Sequence, residues 1–261
     1  MRAALLREFG TLAVEEVATP QPGPGEVLVR VSACGICGTD LKIVAGAYQG
    51  TWPPELPFII GHEWSGEVAA LGPGTERSGL ALGDRVVAEN HTGCGQCPMC
   101  RAGRYNLCER VREPGFKLYG HTAPGALAQY AARPAVALHK VPAHVTSLAA
   151  ALVNQGALTV HAARRARLGP GASAAVYGPG LLGLAGGAVA DLPVDLVTLD
   201  ELDVLGIRSS PNAYPAMIAL LASGAVRTEP LTTHVYPLAE VAAAFGALAR
   251  REAIRPIVTM P

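Results

Sequence analysis

Aromatic and charged residues are both scarce in this chain of 261 amino acids. Phe, Trp and Tyr make up 5%, and the charged residues 16%, below the roughly 25% that is typical of globular domains. The 21 basic side chains equal the 21 acidic ones, so no net charge attracts nucleic acid or an anionic membrane. Few aromatic rings are available to stack on single-stranded bases. We therefore expect neither nucleic acid nor a membrane as a partner.

The chain also lacks an unbroken apolar segment of the kind that crosses a membrane or directs secretion. The stretch from Leu168 to Ala190 carries no charge, but its many glycines and prolines are typical of a turn-rich segment rather than a membrane helix. The first residues, Met1 to Glu8, contain no adequate apolar core for a signal peptide. Without a predicted signal peptide, the expected location of the protein is cytoplasmic. Because hydrophobic residues reach 50%, the chain is expected to fold.

Residues 1–150 are predicted to form mainly strands and turns, with helices afterwards. In Glu26–Val31 every second residue is valine, which is typical of a half-buried strand. A helical period begins near Leu148 and continues to Ala166. By the same criteria we predict strands at Trp64–Leu71, Asp84–Ala88, Ala174–Tyr177 and Ile254–Val258, and helices at Pro215–Ser223 and Leu238–Ala249.

Four of the six cysteines form a compact C-x2-C-x2-C-x7-C motif, here called the four-cysteine lobe: Cys94, Cys97, Cys100 and Cys108. Short spacings of this kind allow one loop to wrap a tetrahedral zinc ion with four thiolates. Gly93, Gly95 and Gly103 permit the tight turns that such a loop needs. Free thiols or two disulfides are the alternatives. A closed shell of four thiolates leaves no open position, so this zinc is predicted to be structural.

Several further motifs occur in a fixed order along the chain: Cys37-Gly38-Thr39-Asp40, Gly61-His62-Glu63-Trp64-Ser65-Gly66, Gly83-Asp84-Arg85-Val86, the four-cysteine lobe, and Gly178-Pro179-Gly180-Leu181-Leu182-Gly183. With this order the sequence resembles the zinc-dependent medium-chain alcohol and polyol dehydrogenases over residues 1 to about 185. The His-Glu motif with tryptophan at position 64 resembles that of polyol and cyclitol dehydrogenases most closely.

The resemblance implies a second, catalytic zinc with Cys37 and His62 as ligands. Asp40 would hold the far ring nitrogen of His62, and Thr39 would pass the substrate hydroxyl proton toward solvent. Glu63 would lie behind the zinc and assist ligand exchange. Bound zinc lowers the pKa of a coordinated hydroxyl, which prepares an alcohol to release hydride to a nicotinamide. Tyr48, Trp52 and His121 are candidates for the wall of the substrate pocket.

One position departs from the family pattern. Related polyol dehydrogenases place a glutamate where this chain has Asn154. An amide oxygen is a poorer zinc ligand than a carboxylate. The third ligand is therefore Glu63, His91, His121 or a weakly bound Asn154, or else the zinc is loosely held.

The motif from Gly178 to Gly183 (Gly178, Gly180, Leu181, Leu182, Gly183) matches the fingerprint of NAD or NADP binding. A complete doubly wound sheet needs roughly 130 residues, but only 88 run from Ala174 to Pro261. Either Val194–Leu199 is the second strand and Asp200 binds the ribose, or the middle of the sheet is missing, with Gly186-Gly187 at the junction. We favour the missing middle, and hence weak cofactor binding and weak or absent nicotinamide turnover.

The predicted fold combines α+β and α/β parts: a GroES-like β-barrel catalytic domain and a truncated Rossmann-like dinucleotide-binding domain. The catalytic domain is expected at residues 1–150, the cofactor domain at 151–224, and residues 225–261 are expected to pack back on the first domain. The predicted function is oxidation of a secondary alcohol or polyol with NAD(P), by a homo-oligomer. A cofactor-free zinc lyase or epimerase, and a non-catalytic zinc-stapled scaffold, are the alternatives.

Overall fold

The computed structural model of the chain describes residues 1–113, 116–169, 194–199 and 203–261. Some of the sequence predictions lie outside the described residues: the strand at 174–177, the glycine motif at 178–183, the Gly186-Gly187 pair and Asp200.

The described residues form strands and helices that alternate unevenly along the chain. The strands are β1 (Arg2–Glu8), β2 (Thr11–Glu16), β3 (Glu26–Gly35), β4 (Phe58–Ile59), β5 (Glu63–Leu71), β6 (Arg85–Ala88), β7 (Tyr130–Pro134), β8 (Leu138–Lys140), β9 (His234–Pro237) and β10 (Pro256–Thr259). The helices are α1 (Gly38–Val44), α2 (Pro98–Arg101), α3 (Ser147–Ala151), α4 (Val153–Arg165), α5 (Val194–Leu199), α6 (Tyr214–Ala222) and α7 (Val241–Ala249).

Two sheets carry the strands. The smaller has the order β2-β1-β4, and the larger has the order β8-β6-β5-β3-β10-β9, with β7 also paired to β3. Val27, Val29 and Val31 of β3 are buried in the main core and Arg30 is exposed, as the alternation predicts. Leu28, expected on the other face with Arg30, is buried as well, so the strand is covered on both faces there. The predicted strands at Trp64–Leu71 and Asp84–Ala88 are confirmed as β5 and β6.

The C-terminal segment completes the large sheet. β10 pairs antiparallel with β3, where Ile257 lies opposite Gly35, and it pairs in parallel with β9. The predicted amphipathic helix is confirmed as α7, preceded by a 3-10 turn, and Leu238 and Phe245 are buried in the main core. Residues of the C-terminal segment thus lie against those of the first 150, while the exact domain boundaries stay a prediction.

The helical layer differs from prediction in two places. The helix expected from Leu148 to Ala166 is divided at Leu152 into α3 and α4. α4 packs on α6 through a second core that includes Val153 and Met217. The segment Val194–Leu199 forms α5, so the interpretation that makes it a second cofactor-binding strand is wrong. None of the helices in the described ranges combines the length and apolar character needed to cross a bilayer.

Candidate active site and metal centres

The pairing of β3 with β5 brings Cys37 and His62 together. Gly35, at the end of β3, lies opposite Glu63, at the start of β5. Cys37 follows the end of β3 by two residues, and His62 immediately precedes β5. The Sγ atom of Cys37 therefore lies 3.6 Å from Nε2 of His62, and both side chains are buried.

The turn into β5 requires glycine at position 61. Gly61 has a φ of +98°, a conformation that L residues with a side chain rarely adopt. A Cβ atom there would lie 2.9 Å from Sγ of Cys34 and 2.9 Å from Cγ of Leu127, closer than van der Waals contact allows. Cys34 and Leu127 can lie this close to the turn before His62 only because this Cβ is absent.

Asp40 faces both Cys37 and His62. Its Oδ2 atom accepts a 2.9 Å hydrogen bond from the backbone N–H of Cys37, at the first turn of α1. Its Oδ1 atom lies 3.4 Å from Nδ1 of His62. Among the described residues neither Oδ1 nor Nδ1 has a hydrogen-bond partner, although both atoms are buried. Asp40 is thus placed beside the ring nitrogen that the resemblance assigned to it.

The charges around His62 favour a cation in this pocket. Burial alone would lower the pKa of His62, but the Asp40 carboxylate and the Cys37 sulfur raise it well above its ordinary value. Burial, followed by the charge of Asp40, raises the pKa of Cys37. Both shifts reflect the buried Asp40 carboxylate beside these two groups, a negative charge that a bound cation would balance.

The pair Cys37 and His62 fits a zinc ion. In a tetrahedral site, bonds of about 2.3 Å to sulfur and about 2.0–2.1 Å to nitrogen place the two ligand atoms roughly 3.6 Å apart. The observed separation is 3.6 Å. The ligand atoms of Cys37, Asp40 and His62 all lie within 4.8 Å of one another. The unpartnered buried atoms of Asp40 and His62 belong to the same group.

Two other candidate ligands, Glu63 and Asn154, have hydrogen-bond partners of their own. The Glu63 carboxylate contacts Nη1 of Arg255 at 3.1 and 3.3 Å and accepts a short hydrogen bond from the side-chain amide of Gln155. The amide nitrogen of Asn154 donates to the hydroxyl of Tyr214 at 2.7 Å. In this conformation the Glu63 carboxylate is thus held by Gln155 and Arg255, and the amide nitrogen of Asn154 by Tyr214. Their roles as ligands stay predictions.

A short row of aromatic rings starts at His62. The ring of His121 lies 4.5 Å from that of His62, and Trp52 lies 4.8 Å from His121, measured between centroids. Tyr48 follows at 5.1 Å from Trp52. Burial lowers the pKa of His121 to about 3, so its ring is neutral at ordinary pH. The three predicted pocket residues are thus neighbours of the metal-binding candidates. Thr39, the fourth predicted residue of this region, is half-buried in the first turn of α1.

The four-cysteine lobe has the geometry of a zinc site. Sγ of Cys94 lies 3.9 Å from that of Cys100, and Sγ of Cys97 lies 4.0 Å from that of Cys108. A ZnS4 tetrahedron places its sulfur atoms about 3.8 Å apart, whereas a disulfide bond measures about 2.05 Å. The cysteines are all free, which contradicts the alternative of two disulfides. Backbone N–H groups of Gln96 and Cys97 lower the pKa of Cys94 to about 6, which favours the thiolate.

The turns of the lobe depend on its glycines, as the sequence predicts. Gly93, Gly95 and Gly103 all have positive φ angles between 71° and 73°. At Gly93 a Cβ atom would lie 2.6 Å from Sγ of Cys100, so any larger residue would displace this sulfur atom.

The lobe is tied to the body of the protein by a network that the sequence did not indicate. The hydroxyl of Tyr105 donates to the buried carboxylate of Glu89 at 2.7 Å and accepts from the backbone N–H of Asn212 at 2.8 Å. Glu89 also contacts Nε2 of His139 at 2.9 Å. Asn106 donates to the backbone oxygen of Arg208 at 2.8 Å.

Comparison with known proteins gives one family and a consistent set of relatives. Residues 23–143 match the alcohol dehydrogenase GroES-like domain. The chain is 36% identical over 192 residues to sorbitol dehydrogenase of Bacillus subtilis (strain 168), covering 73% of this chain and 52% of that protein. It is 39% identical over 198 residues to erythritol/L-threitol dehydrogenase of Mycolicibacterium smegmatis, covering 72% and 54% respectively. The chain thus spans about half the length of the curated relatives it matches.

Solved structures extend the likeness to the whole chain. A cobalt- and zinc-bound thermostable alcohol dehydrogenase from Pyrobaculum aerophilum matches with a TM-score of 0.82 at 25% identity, over 99% of each chain. These matches confirm the predicted fold class, a GroES-like β-barrel domain with a truncated Rossmann-like part.

Proposed function

The chain belongs to the zinc-dependent medium-chain alcohol dehydrogenase family, and on that premise we propose that it oxidises a secondary alcohol by hydride transfer to NAD or NADP. The observation that supports this most directly is the 3.6 Å separation of Cys37 Sγ and His62 Nε2, the spacing of two ligands on one zinc ion. We name Cys37 and His62 as the ligands of a catalytic zinc, and the four-cysteine lobe as the holder of a structural one.

Zinc at this place would acidify a hydroxyl group bound to it. The other steps depend on side chains of the protein. Cys37 and His62 hold the metal, and Asp40 orients the imidazole by facing Nδ1 at 3.4 Å. Thr39, half-buried near the entrance of α1, passes the substrate proton toward solvent. Burial of Cys37 and His62 keeps bulk water away from the reacting atoms.

The substrate class proposed here is a polyol. The relatives named above are sorbitol and erythritol/L-threitol dehydrogenases. In this chain His121 and Trp52 lie in a row next to His62, and a neutral imidazole beside an indole suits a substrate that has both hydroxyl groups and a carbon chain. All of the named relatives are dehydrogenases, so a cofactor-free lyase or epimerase is not favoured.

We propose that the nicotinamide cofactor contacts the motif at Gly178, Gly180, Leu181, Leu182 and Gly183, but binds weakly. The chain covers only 52% and 54% of the two polyol dehydrogenases, so much of a complete cofactor domain has no counterpart here. The helical form of Val194–Leu199 supports the interpretation in which the middle of the cofactor sheet is missing. Titration of NADH and NADPH fluorescence tests this, and saturable micromolar binding would contradict it.

Location and assembly complete the proposal. We propose that the protein is cytoplasmic. We also propose that its partners are small molecules, because the balanced charge does not attract nucleic acid or membranes. A homo-oligomer is proposed because the edge strand β9 exposes Val235, which is 48% accessible. Sedimentation velocity measures the oligomeric state directly, and a monomer at all concentrations would contradict it.

The experiment that tests the function measures nicotinamide reduction with a panel of polyols and simple alcohols. Metal analysis of the same sample is expected to give two zinc ions per chain, of which Cys37→Ser removes one. Cys37→Ser and His62→Ala are expected to abolish turnover, whereas His144→Ala, at an exposed histidine, leaves it unchanged. One zinc per chain, unaffected by Cys37→Ser, would instead indicate the zinc-stapled scaffold.

A further inference from the structure

The buried carboxylate of Glu63 is saturated by two residues that no motif singled out. Its Oε1 atom accepts a short hydrogen bond from Nε2 of Gln155 and lies 3.3 Å from Nη1 of Arg255. Its Oε2 atom lies 3.1 Å from the same Nη1. Glu63 is completely buried and Arg255 nearly so, so solvent does not weaken these contacts.

The oxygen that Gln155 occupies lies near a candidate ligand atom of the proposed metal. Oε1 of Glu63 lies 3.8 Å from Nε2 of His62, the nitrogen that also faces Cys37. A carboxylate oxygen that binds zinc must approach it to about 2.0–2.2 Å. Oε1 already has two donors, so it can reach the metal only by giving up the hydrogen bond from Gln155.

We propose that Gln155 is a positioning residue that withholds Glu63 from the metal held by Cys37 and His62, by keeping Oε1 of Glu63 in a hydrogen bond beside Arg255. The proposal rests on the proposed function for the existence of that metal. Cys37 and His62 would then be the two residues of this chain that hold the metal.

The start of α4 is built for this role. Asn154 and Gln155 are consecutive residues of the first turn, so their side chains point in different directions. Asn154 turns to Tyr214, whose hydroxyl in turn donates to the backbone oxygen of Ala88 at 3.0 Å. Gln155 turns to Glu63. The amide of Asn154 therefore belongs to the contacts of the helical layer, and the amide of Gln155 to the site. Neither side chain is a carboxylate that could bind the metal.

Arg255 reinforces the effect of Gln155. A carboxylate that shares a buried guanidinium has much of its charge already balanced and gains less from a nearby cation. Arg255 also donates to the backbone oxygen of Ile36 at 3.3 Å, which fixes the guanidinium beside the loop that carries Cys37. Arg255 and Gln155 thus hold Glu63 together, and the amide of Gln155 is the contact that a single substitution can remove cleanly.

Zinc affinity of the weaker site tests the proposal. Gln155→Leu removes the donor and keeps the approximate size, and Gln155→Met serves as a second variant if leucine disturbs folding. Gln129→Leu is the matched control, since Gln129 is also a half-buried glutamine, hydrogen-bonded to the backbone N–H of Arg2. Each protein is titrated with zinc against a chromophoric chelator, and the relevant zinc ion is the one that Cys37→Ser abolishes.

Both Gln155 variants are expected to bind this zinc about ten- to hundredfold more tightly than the parent, the range typical of changes next to metal ligands. The visible spectrum of bound cobalt should change as well, because Glu63 enters the coordination shell. Adding Glu63→Gln to Gln155→Leu should remove the gain. Unchanged or weaker binding in both Gln155 variants, or a gain that survives Glu63→Gln, overturns the proposal alone. A parent with no zinc sensitive to Cys37→Ser overturns the proposed function together with it.

Discussion

The ion pair between Glu63 and Arg255 gives a direct measure of how strongly the C-terminal segment is held to the rest of the protein. The two side chains are 0% and 8% exposed and meet at 3.1 Å. Arg255→Met removes the charge and retains most of the side-chain length. Breaking a buried pair by removing one partner costs about 3–5 kcal/mol, because the other charge stays buried without compensation. At about 2–4 °C per kcal/mol for a chain of this size, the melting temperature should fall by roughly 6–20 °C.

A matched control is available on the surface of the same sheet. Arg30 and Glu67 also meet at 3.1 Å, but their side chains are 54% and 42% exposed. Arg30→Met should therefore cost about 1 kcal/mol or less. Urea unfolding of both variants measures the difference, and the double variant Glu63→Gln with Arg255→Met should recover much of the loss. Equal losses for the buried and exposed pairs would refute the reasoning.

Two further predictions concern the lobe and its neighbours. Tyr105→Phe removes the hydrogen bond to the Glu89 carboxylate and should lower the free energy of unfolding by about 1.5–3 kcal/mol. Urea unfolding measures the loss, with Tyr236→Phe as the control. Equal losses in the two variants would contradict the proposed network. Burial lowers the pKa of His91 to about 4, so below about 6.5 the unfolded chain binds a proton that the folded chain does not. Stability should therefore fall as the pH drops from about 6.5 toward about 4, and His91→Gln should flatten this part of the profile; identical slopes would show that another group is responsible.

Local patterns were sufficient to predict the four-cysteine lobe. Its ligands and glycines all lie within a few turns of one another, so spacing alone determines which sulfur atoms meet. The strand at Glu26–Val31 and the helix α7 could also be predicted, because their apolar residues recur with a strand period and a helix period, although Leu28 is buried against the strand pattern. Cys37 and His62 were identified through the resemblance and not through local pattern.

The contacts around Glu63 could not be predicted in this way. Gln155 lies 92 residues from Glu63, and Arg255 lies 192 residues from it. Such pairs depend on the packing of whole elements, and a lone glutamine or arginine carries no periodic signal. The same reason applies to Val194–Leu199, where β-branched residues favour a strand but the chain forms a helix. The break in the helix at Leu152 could not be predicted either, because no glycine or proline lies at that position.

The position of β10 beside β3 determines when the site is finished during protein synthesis. Arg255 follows Ile36 by 219 residues, which a ribosome needs roughly 10–45 s to add at about 5–20 residues per second. For most of this interval the emerging chain contains β3 and β5 but not the arginine that balances Glu63. Nascent chains of this protein therefore pass through a stage in which the pocket carries an uncompensated anion, and only the arrival of the C-terminal strand ends it.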